Sequence, residues 1–256
     1  MSRGCAVFGP LWLRRKTTAM LMKTSVVIPT LNEENYVGFV LSDIARQTRK
    51  ADEVIIVDGD SQDATSSVVE RFPGVDLVIG APPVANQRNL GGRTASGDVL
   101  VFLDADVRLS ETFLEDFLAR IEHRNLDIAC PLYMPYRSTL LIKGIHAYVN
   151  AVFVALQKIL PSGAGHCIAV RREVFQQSPG FDPTLNLGED VALVRKLSIG
   201  HRFGIVAKQL FVSDRRYKEE GVSRMLTKIL LLSIIFTFGK FELANRIEHE
   251  FGTHAR

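Results

Sequence analysis

From Ser25 to Asp104 the chain repeats one pattern: a short run of β-branched and aliphatic residues, a turn, then a longer stretch with apolar residues at helical spacing. Continuous apolar runs of this kind suit strands buried on both faces. Helix-length connectors join parallel neighbours, so the pattern calls for a mostly parallel sheet covered by helices. The expected strands are SVVI (Ser25 to Ile28, closed by Pro29), EVIIVD (Glu53 to Asp58), VDLVI (Val75 to Ile79) and VLVFLD (Val99 to Asp104). The first three are followed by expected helices over 35–47, 63–71 and 84–95, the second of them N-capped by Asp63.

Beyond Asp104 the rhythm loosens. The spacing predicts a helix over 111–124 capped by Ser110, a strand over 127–132, and a long helix over 140–160 stopped by Pro161 and the turn SGAG (Ser162 to Gly165). HCIAV (His166 to Val170) is strand-like, Gly188-Glu189-Asp190 opens a further helix, and 203–212 is extended. The expected fold is therefore a single α/β domain, with a mostly parallel central sheet flanked by helices and a C-terminal amphipathic helical extension. Its boundaries are 1–23 for an N-terminal extension read as disordered, 24–216 for the domain, divided at 107/108, and 217–256 for the extension.

The 256 residues, 46% hydrophobic, are ample for one large core, and a formal net charge of +3 is too mild to call for a nucleic-acid partner. Cys5, Cys130 and Cys167 fit neither a disulfide framework nor paired zinc ligands, which points to a reducing, cytoplasmic compartment. The apolar run from Cys5 to Leu13 precedes its Arg14-Arg15-Lys16 cluster, the reverse of a secretory signal. No apolar run reaches the roughly 18 uninterrupted residues of a membrane span. Residues 140–160 are broken by Lys143, His146, Asn150, Gln157 and Lys158, and 229–238 are too few.

Chemistry concentrates where strands give way to loops, which is where open α/β sheets bind ligands. The fourth strand ends VFLDADV, with Asp104 and Asp106 on one side of an extended segment. Two hard oxygen ligands at a mouth suit Mg²⁺ or Mn²⁺, which could neutralise a diphosphate; the bland alternative is a solvated turn or a helix cap. No G-x-G-x-x-G turn and no P-loop occurs, and Gly91-Gly92 falls inside a predicted helix, where close packing explains it.

Four blocks in order, VVIPTLNEE (Val26 to Glu34), IIVDGDSQDAT (Ile55 to Thr65), NQRNLGGRTASGDVLVFLDADV (Asn86 to Val107) and GFDPTLNLGEDVALVRK (Gly180 to Lys196), together resemble a family 2 glycosyltransferase of the GT-A fold. The resemblance covers roughly Thr24 to Arg216 and implies site roles by position. Pro29, Thr30, Asn32 and Glu33 would line the nucleotide pocket, with Asp58 at the base or ribose and Arg88 and Asn89 near ribose and diphosphate. Asp104, Ala105 and Asp106 would form the D-x-D that holds the metal-bound sugar nucleotide, Asp104 and Asp106 being the metal ligands. Glu189 and Asp190 would lie by the acceptor, with Asp190 as general base. One departure is that Gly59 and Asp60 precede Ser61 where relatives carry Asp-Asp-Gly-Ser or Asp-Gly-Gly-Ser, displacing a carboxylate and leaving base specificity open.

Each residue also has a structural alternative. Glu33, Glu34 and Asp63 could serve helix dipoles, Asp190 could be a helix N-terminal residue, and His166, expected on the acceptor side, could simply be packed. Arg215 and Arg216 suit phosphates by their guanidinium forks. With Lys218, Arg224 and Lys228 they also stand before the apolar stretch 229–238, as on an interfacial helix.

The expected function is inverting, metal-dependent transfer of a hexose from a UDP- or GDP-sugar to an acceptor hydroxyl or polyprenyl phosphate. The acceptor is an unknown saccharide or lipid. The protein would be cytoplasmic, with peripheral contact at the inner face of a membrane. The competing expectation is a non-catalytic sugar-nucleotide-binding or scaffold protein on the same fold.

Overall fold

The computed structural model describes residues 22–247, so the Cys5–Leu13 run and most of the expected N-terminal extension lie outside the described residues. The first half winds β1 (Thr24–Thr30), α1 (Val37–Ala45), β2 (Glu53–Asp58), α2 (Thr65–Val69), β3 (Asp76–Ile79), α3 (Val84–Thr94) and β4 (Val99–Leu103). The second half adds α4 (Phe113–Arg124), β5 (Ile128–Pro135), α5 (Leu140–Leu156), β6 (Cys167–Arg171), α6 (Arg172–Gln176), α7 (Glu189–Leu197) and β7 (Phe203–Val212). Three helices close the described chain: α8 (Arg215–Glu220), α9 (Val222–Thr237) and α10 (Phe241–Ala244).

All strands join one seven-stranded sheet in the order β3-β2-β1-β4-β6-β5-β7. Pairing is parallel except around β6, which runs antiparallel to both β4 and β5. The strand order reverses direction from β1 outward, β2 and β3 on one side and β4 on the other. Such a switch point leaves a crevice at the carboxyl ends of β1 and β4.

Strand alternation explains the two covering layers. Val26 and Ile28 of β1 face one side with Val101 and Leu103 of β4, against α1 and α4 through Val40, Leu41, Phe113 and Phe117. Val27 of β1 and Leu100 and Phe102 of β4 face the other, against Phe175, Phe181 and Leu193. Gly91 and Gly92 of α3 lie against this second face, where a Cβ would come within 2.4 Å of Val27 and of Phe175 respectively. Close packing is thus their role.

Several boundaries differ from the expected ones. Ser110 does not cap α4: Thr112 occupies the N-cap position and the Ser110 Oγ has no partner. Instead the Gln47 side chain bridges α1 to this loop, accepting from Leu114 N and donating to Ser110 O. Ala64, not Asp63, is the N-cap of α2; Asp63 accepts from the backbone N–H groups of Thr65 and Glu34, and the Glu34 carboxylate accepts from Ala64 N. Both acidic residues therefore hold the turn before α2. The expected boundary at 216/217 falls inside α8.

Candidate active site

The ends of β1 and β2 are locked together by side chains. Asp58 is buried and accepts from Thr30 Oγ1 at 2.8 Å, from Ser61 Oγ at 2.6 Å and from Ser61 N at 2.9 Å. Asn32, with φ of 55°, donates its N–H to Ser61 Oγ and accepts from Gln62 N. Gln87 of α3 donates to the carbonyls of Thr30 and Val57. Gly59 leaves room for that amide, since a Cβ there would meet Gln87 Nε2 at 2.9 Å. Pro29, Thr30, Asn32 and Asp58 are thereby drawn into one rigid rim. Gln87 and Ser61, its other members, were not among the expected site residues.

At the end of β4 the backbone departs from the extended geometry expected for D-x-D. The strand stops at Leu103 and a turn through Ala105 and Asp106 sends the two carboxylates to different partners. Asp104 accepts from Arg88 Nη2 at 2.7 Å through one oxygen and pairs with His166 Nδ1 at 3.0 Å through the other. Asp106 lies 3.6 Å from Nη2 of Arg215, and so does Glu33. The Arg215 guanidinium also stacks over Tyr36, 4.9 Å from its ring centroid.

Arg88 is the hub. It is 4% exposed, donates to Asp104 through Nη2 and to Glu189 through Nη1 at 2.7 Å each, and lies over the Phe181 ring. Burial works against its charge, but Asp104 and Glu189 outweigh that and hold its pKa above the ordinary value. Desolvation likewise pushes Asp104 upward, yet Arg88 and His166 prevail and leave its carboxyl far below the usual range. The neighbouring Asn89 exchanges two 2.8 Å bonds with the backbone of Phe181, so its amide fixes the Gly180–Phe181 loop.

Glu189 and Asp190 open α7, whose N-cap Gly188 has φ of 81°. Burial and the adjacent Asp190 raise the Glu189 carboxyl to about 7 against the pull of Arg88, and burial raises Asp190 as well. Arg88 bonds Glu189 directly and reaches Asp190 only through its charge, so burial prevails and both carboxyls stand above their ordinary range. The Asp190 side chain is seated against Gly165, where a Cβ would come within 2.0 Å of Oδ2. The SGAG turn therefore makes the seat of this carboxylate.

Glu33 is the remaining acidic group. Burial raises its carboxyl to about 7, with Arg215 opposing and Asp106 adding to the rise, and its Oε2 is buried without a hydrogen-bond partner. Among the described residues no three His, Cys, Asp or Glu side chains are grouped to hold an ion by themselves. Mg²⁺ is commonly held by one or two carboxylates with substrate phosphates completing its shell, and Asp106 with Glu33 fits that donor set. Asp104 is engaged at both oxygens, by Arg88 and His166, and each oxygen keeps a further lone pair. Asp106 and Glu33 thus converge on Arg215, whereas Asp104 turns to Arg88 and His166.

Of the basic residues expected to face a membrane, Arg215 faces the site, Lys218 pairs with Asp214 at 2.8 Å, and Lys228 pairs with Glu220. Arg216 lines a cavity of about 990 Å³ whose inner end is formed by Arg88, Asp104, His166, Glu189 and Asp190. No helix among the described residues is long and apolar enough to cross a membrane.

Comparison with known proteins bears on this site. Residues 25–178 match the family model described as Glycosyl transferase family 2. The chain is 30% identical over 118 residues to the poly(ribitol-phosphate) beta-N-acetylglucosaminyltransferase TarS of Staphylococcus aureus, covering 42% of this chain and 20% of TarS. It is 29% identical over 188 residues to an uncharacterized glycosyltransferase of Haemophilus influenzae, covering 68% of this chain and 61% of the relative. The match thus spans about a fifth of the length of TarS. Among solved structures, the mannosyltransferase PcManGT of Pyrobaculum calidifontis, in complex with GDP-Man and Mn²⁺, superposes with a TM-score of 0.65 at 22% identity over 76% of this chain and 58% of that one. Residues 1–349 of TarS, in complex with UDP, superpose with a TM-score of 0.61 at 21% identity over 75% of this chain and 60% of that one.

Proposed function

The chain belongs to glycosyl transferase family 2, and from that membership and its site we propose that it transfers a hexose from a UDP- or GDP-sugar to an acceptor hydroxyl with inversion at the anomeric carbon. The observation that carries this reading is the junction at Arg88. One buried guanidinium ties Asp104, at the end of β4, to Glu189, and Asp190 stands beside them against Gly165. Such a junction would keep the donor and acceptor groups at a fixed distance, which is the main requirement of a displacement between two bound molecules.

The donor would lie over the rim formed by the ends of β1, β2 and β4. Asp106, with Glu33, would hold Mg²⁺ or Mn²⁺, and such an ion when bound would neutralise charge on the departing diphosphate. Arg215 supplies positive charge at the same place from the chain itself. Asp190 takes the proton of the acceptor hydroxyl as that oxygen attacks the far face of the anomeric carbon. The bond from the carbon to the diphosphate oxygen breaks and the nucleoside diphosphate leaves. A carboxyl raised toward neutrality is a stronger base than an ordinary one, which suits this task. Val191 N–H and the close approach of Gly165 hold Asp190 in place, and the Arg88 charge tempers its basicity.

A non-catalytic binder on the same fold would have no use for two buried carboxylates at the acceptor end, whose desolvation costs stability. A cytoplasmic location, peripheral at the membrane through α9, belongs to the same proposal. The experiment that tests it is a panel of UDP- and GDP-hexoses, with and without Mn²⁺, followed by proton NMR of the anomeric centre. We expect one donor to be consumed in a Mn²⁺-dependent way with a β-configured first product from an α-linked donor. Absence of binding and turnover across the panel would overturn the reading.

A further inference from the structure

The 990 Å³ cavity that begins at Asp190 continues between α5 and α9 as an apolar groove. Its inward walls are Ile145, Val149 and Val152 from α5 and Ile229, Leu232 and Phe236 from α9. α9 buries none of its residues, and along the rim Leu140 and Leu230 are 87% and 64% exposed. Each helix presents roughly 25 Å of length at 1.5 Å per residue. Apolar surface of this extent is not left to water without a ligand or partner.

The groove is continuous with the reacting carboxylate, and that limits its occupant. A protein seated on it would close the route by which an acceptor reaches Asp190. A saccharide would leave its hydroxyls unpaired against hydrocarbon walls, at a cost for each. The inner end discriminates between head groups. Asp104, Glu189 and Asp190 present three carboxylates, and the Arg88 charge is already answered by two of them. Of the other cations lining the cavity, Arg195 is turned to the carbonyls of Pro161 and Phe236 and to Ser162 Oγ, and Arg216 also lines the small adjoining pocket with Asp106, His166 and Arg215. An anionic head at Asp190 would meet like charge, whereas a hydroxyl would meet its base.

We propose that the groove between α5 and α9 takes the hydrocarbon chain of a lipid acceptor and delivers its neutral terminal hydroxyl to Asp190. This rests on the glycosyl-transfer reading above and names its acceptor class.

The test uses the full chain with the donor that the NMR panel identifies, and straight-chain primary alcohols of four to ten carbons as acceptors. Transfer and donor hydrolysis are measured in the same tube. The expected result is a kcat/KM for transfer that rises about fourfold per methylene, the transfer free energy of one buried CH₂. Val149→Asp and Val152→Asp should each flatten that slope, read as the ratio of transfer to hydrolysis, so that loss of folded protein cancels. A flat slope in the wild type while donor is still hydrolysed would overturn the inference and leave the glycosyl-transfer reading standing. If no donor is bound or hydrolysed, that reading falls instead. Transfer to alkyl phosphates but not to alcohols would overturn the head-group assignment. A flat slope together with a concentration-dependent dimer, or with vesicle binding alone, would assign the groove to a second copy or to a bilayer and overturn the proposal.

Discussion

Gly165 shows how little space the reacting carboxylate has. A methyl group there would come within 2.0 Å of Asp190 Oδ2, so Gly165→Ala must push the carboxylate from its seat. We expect kcat to fall about 100-fold, the usual cost of misplacing a catalytic group by an ångström, while the melting temperature moves by only a few degrees; turnover and thermal unfolding on one preparation check both. Arg88→Gln should act on stability as well. It leaves Asp104 and Glu189 without their shared cation, and removing one partner of a buried pair costs about 3–5 kcal/mol, readable by urea denaturation. At this scale the sequence singled out Asp104 and Asp106 by their place after a strand, and Glu189 and Asp190 only through the resemblance of their block. It did not disclose what seats them. The bond between Asp104 and Arg88, and the fit of Gly165 to Asp190, join positions far apart in the chain, and no local pattern marks them. SGAG was legible as a turn and nothing more.

Elements were legible where periodicity is strong and illegible where direction matters. The first four strands fall within a residue or two of the apolar runs that predict them, since β1, β2 and β4 are buried on both faces and the runs are unbroken; β3, at the sheet edge, is the exception in burial. The antiparallel course of β6 was not readable, because a five-residue apolar run looks the same in either direction. α5 stops at Leu156, short of Pro161, and β5 runs on to Pro135 because pairing with β7 outlasts its apolar stretch. α9 carries a prediction of its own. The basic residues before its apolar stretch are largely drawn to Glu33, Asp106, Asp214 and Glu220, so attraction to anionic lipid is weakened while the apolar face stays open. The full chain should therefore co-sediment with neutral phosphatidylcholine vesicles, and salt should change the bound fraction by less than about twofold. Leu230→Asp with Ile234→Asp should lower vesicle affinity at least about tenfold, given the apolar surface each side chain contributes.

At the level of the whole molecule, the sheet order is what makes a site from these parts. β1 and β4 lie side by side at the switch point, which places Glu33, Asp104 and Asp106 at one crevice, and the antiparallel β6 lets the chain return through His166 and Gly165 to the same crevice. The Glu189–Asp190 pair then closes it from α7. The sequence conveyed the crevice, through strands ending in polar residues, but not the groove that leads away from it, since α5 and α9 each read as an ordinary amphipathic helix. The central claim is that a buried carboxylate, raised toward neutrality by its surroundings, deprotonates the acceptor. Because burial raises the Asp190 carboxyl above its ordinary range, the base form is lost at a higher pH than an ordinary aspartate would lose it. The measurement that tests this most directly is the pH profile of kcat/KM for transfer by the wild type and by Asp190→Asn. The account predicts a wild-type acid limb, approaching tenfold per unit, that sits above the ordinary carboxylate range, and an Asp190→Asn variant slower by about 100-fold or more without that limb. A wild-type profile flat down to pH 5, or an Asp190→Asn variant that transfers within a few-fold of the wild-type rate, would contradict it.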